Sequence, residues 1–380
     1  MTAANSAFQI SVFPGDGIGG EVIDPTVEVL KLLEKQIGGF SFRFESEKAG
    51  AQHYKDTGTA LPDDAMKRAE SSDAILLGAM GMPSIRYPDG REIAPQLELR
   101  ENLELFAGVR PVKTRPGAPN PLSDPRAANL DFVLIRESTE GLFANRGQTR
   151  YDGPADRPTA AHDTMTITRA GSERLFDFSF KLTQKRKAKG HRGQLMCIDK
   201  ANVIGGFYWM RGIFDEMSAQ YPDVEPAHMY VDACALNMVR RPWDFDVMVT
   251  ENMFGDILSD LAAGLMGGMG MAPSADIGTR NAVFQPCHGS APDIMGQGLA
   301  NPTATLLSAA MMLEWLGDTH GISECNLAAS ILDHAVDLAF EDGSLIPTEF
   351  GGAAGTKTVT DAVVAHLGDG SARKRAESSA

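Results

Sequence analysis

The stretch Phe8-Gln-Ile-Ser-Val-Phe13 alternates in polarity and stops at Pro14-Gly15. A period of two ended by Pro-Gly predicts a strand and a turn. From Glu21 to Ile37 the period changes, and Val22, Val27, Val29, Leu30, Leu32 and Leu33 recur at helical spacing. A strand that feeds a helix commits the chain to layering, because each must bury its apolar face against another element. The same switch recurs. Short apolar strands are predicted within Ser72–Gly78, Asn129–Ile135 and Phe245–Thr250, and helices over Ser172–Lys189 and Asn301–Leu316. The expected class is α/β. Pro-rich Arg115–Pro125 reads as a surface loop. The small, charged tail Gly368–Ala380 reads as disordered. There is no internal repeat.

The turn after the first strand, Gly15-Asp-Gly-Ile-Gly-Gly20, matches G-x-G-x-x-G. A dinucleotide site of that kind expects an acidic residue about 20 positions on, at the end of a second strand. Glu45 is a poor fit, lying inside the charged run Arg43-Phe-Glu-Ser-Glu-Lys48. Asp16 would also repel a pyrophosphate. A tight structural turn is the favoured reading.

At 380 residues the chain allows two domains or one large one, at roughly 100–200 residues each. Its net charge of −15 opposes binding to a phosphate backbone, so no nucleic-acid partner is expected. A small anionic substrate would need a local arginine or lysine cluster. Cys197, Cys234, Cys287 and Cys325 are far apart and read as reduced thiols. No signal segment and no run of about 18 apolar residues stands out, so no membrane partner is expected and the expected compartment is the cytoplasm.

Charges in apolar surroundings mark candidate chemistry. Asp256 and Asp260 lie four residues apart in the apolar run Val249–Gly264, so they share one helical face and repel. A divalent cation with oxygen ligands would relieve that repulsion, and Mg²⁺ is the natural choice. A solvated helix start is the alternative. Asp232, in Tyr230-Val-Asp-Ala-Cys234, is a possible third ligand. Arg100, Arg110 and Arg136 flank or end apolar segments. Converging arginines would grip a di- or tricarboxylate through paired hydrogen bonds. Ion pairing with Glu98, Glu101 and Glu137 is the alternative. Lys200, between apolar runs, is either a base of lowered pKa or a loop lysine paired with Asp199.

From Phe8 to Leu367 the ordered segments resemble the isocitrate/isopropylmalate dehydrogenase family. The segments are Pro14–Gly19, Arg100–Pro111, Arg136–Gly141, Asp199–Val203, Asn252–Asp260 and His288–Ile294 with Asn301-Pro302. The resemblance implies an open-sheet, isopropylmalate dehydrogenase-like fold that is not a Rossmann fold. It implies a large domain of residues 1–106 plus 267–367 and a small one of 107–266, with 368–380 as the tail. It implies a homodimer with shared active sites, Lys200 and Asp232 reaching the partner. Lys200 and Asp232 would be catalytic, and Arg100, Arg110, Arg136 and Gln96 would bind substrate. Asp232, Asp256 and Asp260 would hold Mg²⁺ or Mn²⁺. His288, Gly289, Ser290, Ala291, Asp293, Ile294, Asn301 and Asn202 would bind the dinucleotide. The carboxylate of Asp293 would favour NAD by repelling a 2′-phosphate. The implied reaction oxidises and decarboxylates a 3-substituted malate.

Two positions depart from the family pattern. Phe143 stands where the family has a tyrosine, and it has no acidic proton to give an enol carbon. Gln96-Leu97 stands where isopropylmalate enzymes carry paired leucines, which points to a more polar substituent. A tartrate- or D-malate-type oxidation with little loss of CO₂ is the alternative. A binding protein that has lost catalysis is the third reading.

Overall fold

The computed structural model describes residues 6–378. In chain order the elements are β1 (Ser6–Gly15), α1 (Gly19–Ile37), β2 (Phe40–Ser46), α2 (Ala51–Thr57), α3 (Asp63–Ser71), β3 (Ala74–Ala79), α4 (Pro95–Asn102) and β4 (Ala107–Lys113). Then come β5 (Asp131–Glu137), β6 (Arg150–Asp152), β7 (Ala160–His162), α5 (Arg169–Ala188), β8 (Gln194–Asp199), α6 (Gly205–Ser218), β9 (Glu225–Tyr230) and α7 (Val231–Arg240). The chain finishes with β10 (Val247–Thr250), α8 (Asn252–Leu265), β11 (Pro273–Ile277), β12 (Ala282–Pro286), α9 (Thr303–His320), α10 (Ser323–Phe340), α11 (Thr356–Gly368) and α12 (Ser371–Ser378). The class is mixed α/β.

Two compact units divide these elements. The first holds the chain up to Leu103, Thr114–Ala128, and everything from Ala263 on. Its strands run in the order β2-β1-β3-β12-β11. The first four are parallel, and β11 is antiparallel to β12. Every residue of β3 is buried, as a parallel strand covered on both faces requires. Helix α1 buries Val22, Ile23, Val29, Leu30 and Leu33, the face its spacing predicts. Helix α9 is apolar nearly all round and lies in the core against β11, β12 and α10.

The second unit holds Glu104–Lys113 and Asn129–Ala262, with strand order β4-β5-β10-β8-β9. Here β4 is antiparallel to β5, and the rest are parallel. Helix α5 starts at Arg169, three residues before the predicted Ser172, because the Thr168 hydroxyl caps it by accepting from Gly171 N at 3.0 Å. Its Phe176 and Phe180 pack on Phe214 of α6.

Two expectations about boundaries change. The segment Thr114–Ala128 belongs to the first unit, where Arg115 is buried and donates to Asp333 and Asp337 at 2.7 and 2.8 Å. The expected disordered tail is corrected: residues 371–378 form α12, which packs on α10 and α11 and buries Ala372 and Ala376. Small residues that read as disorder are here what lets one helix approach another closely. None of the four cysteines forms a disulfide. No helix among the described residues is long and apolar enough to cross a membrane.

Candidate active-site residues

In the second unit, the ends of β5, β8 and β10 carry the charges. Arg136 ends β5 and is buried. Its Nε donates to Asn252 Oδ1 at 2.9 Å and its Nη1 to Asp256 Oδ1. Gly255 permits this approach, since a Cβ there would lie 2.6 Å from the Arg136 side chain. The Phe143 ring centroid lies 5.5 Å from the Arg136 guanidinium. Arg110, on the neighbouring β4, is also buried. Neither arginine lies at the surface.

Asp256 and Asp260 share a face of α8, as their spacing predicts. Partial burial pushes the Asp260 carboxyl up, and the like charge of Asp256 adds to this. Arg136 and Arg110 pull it the other way. Glu251 begins the helix by accepting from Met253 N at 3.0 Å and Phe254 N at 2.6 Å.

Lys200 follows β8 and donates to Asp232 at the start of α7. That contact holds the Asp232 carboxyl below its ordinary value. Pairing of Lys200 with Asp199 does not occur. Asp199 is fully buried and grips Arg211 through two bonds of 2.6 and 2.8 Å. Arg211 lies against the Tyr230 ring. Asp232 does not join Asp256 and Asp260 as a metal-binding trio within one chain. Among the described residues the one such trio is Asp333, His334 and Asp337, whose two carboxylates both accept from Arg115. Asn202 is exposed on the turn after Lys200.

In the first unit, Gln96 and Arg100 lie one turn apart on α4. Arg100 Nε donates to Asp276 Oδ2 at 2.8 Å, and Asp276 is fully buried on β11. The same oxygen accepts from Gln285 Nε2 at 2.7 Å. Sequence reasoning missed Asp276, although an acid inside the apolar strand Pro273–Ile277 is the signal that singled out Asp232.

The glycine turn is structural. A phosphate loop leaves its backbone N–H groups open to ligand. Here Asp16 N donates to Ala79 O at 2.7 Å, Ile18 N to Ser290 O at 2.8 Å and Gly19 N to Asp16 O at 3.0 Å. The Asp16 carboxylate is buried and accepts from the backbone N–H groups of Ala51, Gln52 and Gly81 at 2.7–2.9 Å. Gly17, at φ +58°, lets the turn close on the next loop, since a Cβ would lie 1.9 Å from Ser290 O. Glu45 is not a ribose acceptor either, as it binds Gln9 at 3.0 Å and Arg43 at 3.2 Å.

That next loop carries most of the predicted dinucleotide residues. Ser290 is buried and donates to Gly81 O. Ala291 has φ +37°, and with Ile294 it packs on Ile18, Val22 and Ala300. Gly289 and Asp293 are exposed. His288 Nδ1 donates to Gly289 O at 2.9 Å, while its Nε2 is buried without a partner. Burial lowers the pKa of this imidazole, so at neutral pH the ring is neutral and Nε2 is an acceptor. Asn301 is occupied by structure: its Oδ1 accepts from Thr303 N and Oγ1, and its Nδ2 donates to Glu349 at 2.6 Å.

Comparison with known proteins fits this arrangement. Residues 9–363 match the model of the isocitrate/isopropylmalate dehydrogenase family. A 3-isopropylmalate dehydrogenase of Heyndrickxia coagulans is 39% identical over 376 residues, covering 97% of this chain and 98% of the relative. A 3-isopropylmalate/3-methylmalate dehydrogenase of Methanocaldococcus jannaschii is 41% identical over 315 residues, covering 82% and 86%. The solved isocitrate dehydrogenase of Methylococcus capsulatus superposes with a TM-score of 0.83 at 34% identity, covering 95% and 99%. A β-decarboxylating dehydrogenase of Thermococcus kodakarensis gives 0.74 at 32% identity, covering 95% and 96%. The chain belongs to the isocitrate/isopropylmalate dehydrogenase family.

Proposed function

We propose that this protein uses NAD and a divalent cation to oxidise a 3-substituted malate at C2, with loss of CO₂. The observation that carries the reading is the cluster of Arg136, Asp256 and Asp260, a buried arginine bound to the first of two carboxylates that share one helical face. Two like charges with oxygen donors suit Mg²⁺ or Mn²⁺, with Asp232 as a third ligand from a second copy. When bound, the cation would stabilise charge on the C2 oxygen. Carboxylate binding falls to Arg100, Arg110 and Arg136. Lys200, as its neutral amine, would take the C2 hydroxyl proton, with Asp232 beside it to orient the side chain.

Two features of this chain support NAD. The orphaned His288 Nε2 is an acceptor suited to an exocyclic amine of adenine. The exposed Asp293 carboxylate suits ribose hydroxyls and opposes a 2′-phosphate. Asn202 and Gly289 would complete the contacts. A homodimer is supported by large apolar side chains exposed on α6, α7 and α8, among them Tyr208, Trp209, Leu236, Val239 and Ile257.

The test follows NADH formation with 3-substituted malates, with NADP and EDTA as controls and trapping of CO₂. Metal-dependent NADH with evolved CO₂ supports the reading. NADH without CO₂ would place a block between oxidation and decarboxylation and would favour the non-decarboxylating alternative. Absence of turnover with every malate would sink the reading. In Lys200→Met, turnover falls by about 10²–10⁴ while NAD still binds.

A further inference from the structure

We propose that Arg211 is the positioning residue of the Lys200–Asp232 pair, an inference that rests on the reading of Lys200 as the base. Lys200 and Asp232 are far apart in the chain and meet through a bond from Lys200 Nζ to a carboxylate oxygen of Asp232. Each stands just beyond a strand end, since β8 closes at Asp199 and β9 at Tyr230. The two strands are parallel, with Asp199 opposite Tyr230 in the last pair of their register. How firmly those two ends are joined therefore sets the separation of the base and its carboxylate.

The pair cannot hold itself. The Lys200 and Asp232 side chains are 27% and 66% exposed. An ion pair wetted to that degree gains little against the entropy of two free side chains. Strand β9 is also last in the strand order, bonded on one side by β8. A strand end paired on a single side opens more readily than one paired on both. The turn beyond Lys200 gives no buried brace, because Asn202, Val203 and Ile204 are exposed.

Arg211 supplies the brace from α6. Its Nε and Nη2 donate to the fully buried Asp199 at 2.8 and 2.6 Å. The same carboxylate accepts from Ala201 N at 2.8 Å, so it fixes the backbone on both sides of Lys200. The Arg211 guanidinium also lies over the Tyr230 ring, 5.2 Å from its centroid. One rigid plane thus joins the end of β8 to the end of β9. A buried carboxylate holds its cation firmly, because leaving it unpaired costs far more than a wetted pair gains. With its fork on Asp199 and its face on Tyr230, Arg211 acts through Lys200 and Asp232 and not on substrate. A lysine would keep the charge but has neither fork nor plane, so it cannot make both contacts.

The test uses the full-length protein with NAD and Mn²⁺, and 3-isopropylmalate, isocitrate and D-malate as substrates. In Arg211→Lys, kcat is expected to fall by about 10–100-fold, as it does when a reacting group moves by about 1 Å. KM and the NAD dissociation constant, measured by direct titration, are expected to stay within about twofold. Tyr230→Leu leaves the Asp199–Arg211 pair intact and is expected to lower kcat alone, by about fivefold. In a Lys200→Met background either change is expected to cost less than about twofold more, because the group being positioned is gone. A general loosening of the unit would instead multiply with Lys200→Met. Melting curves show which variants are folded, and if Arg211→Lys is not, Tyr230→Leu and its combination with Lys200→Met decide. An unchanged kcat in a folded variant, an equal loss in KM and NAD binding, or full multiplication with Lys200→Met overturns the positioning role while the malate reading stands. Absence of wild-type turnover with all three substrates overturns both.

Discussion

Arg100 is bound to the buried carboxylate of Asp276 through its Nε, at 2.8 Å. Asp276 is held in turn by Gln285 at 2.7 Å. Because the bond uses Nε, the two outer nitrogens of the guanidinium keep their fork for a carboxylate. The pair thus sets the direction of Arg100.

Asp276→Asn should expose that role. The amide keeps an acceptor but loses the charge that fixes Arg100. The expected result is a rise of about tenfold in malate KM, with kcat within about threefold. Steady-state kinetics check it, and an unchanged KM with a collapsed kcat would rule against a positioning role.

Gly17→Ala tests the glycine turn as a buttress. The new Cβ would sit 1.9 Å from Ser290 O at a φ of +58°. Strain of about 1–3 kcal/mol is expected. The His288–Ile294 loop must shift to relieve it, so NAD should weaken more than malate does. Parallel titrations of the two ligands make the comparison. A phosphate-cradling turn with open N–H groups would instead tolerate a shift of Ser290.

His288 makes acid stability predictable in sign. Burial holds its folded pKa below its ordinary value of 6.5. As pH falls through 6.5 the unfolded chain takes up a proton that the folded chain refuses. Its contribution to stability is therefore full above that pH and declines as pH falls, until the folded pKa is passed. Melting temperatures between pH 8 and pH 5 should drop less in His288→Gln than in the wild type. Parallel curves for the two would contradict the assignment of a buried neutral imidazole.

Deleting residues 371–380 tests helix α12. Ala372 and Ala376 lose their burial, and the half-exposed Arg375–Glu341 ion pair at 2.9 Å adds little. A loss of about 1–2 kcal/mol is expected from the apolar area. That should lower Tm by about 2–8 °C, at about 2–4 °C per kcal/mol. Calorimetry checks it, and an unchanged Tm would return this segment to the status of a tail.

Helix α1 and the strands around Ala74–Leu77, Phe132–Ile135 and Val247–Thr250 were legible because their apolar period is local and uninterrupted. The i, i+4 placement of Asp256 and Asp260 was legible for the same reason, since helical geometry alone puts them on one face. Helix α12 was not legible. Its charged residues face water, and its small ones gain meaning only against α10 and α11. Asp16 read as an awkward charge near a phosphate. Only the folded chain brings Ala51, Gln52 and Gly81 to its carboxylate and turns that charge into a hub.

The sequence by itself determined the α/β class, the family and which residue types carry charge into apolar segments, because period and motif order are properties of neighbours along the chain. Tertiary structure decided the partners: Asp276 for Arg100, Arg211 for Asp199, Asp232 for Lys200, and none for His288 Nε2. Hydrogen bonds and ion pairs act over about 3 Å, and positions such as 100 and 276 come that close only when strands and helices from distant parts of the chain pack together.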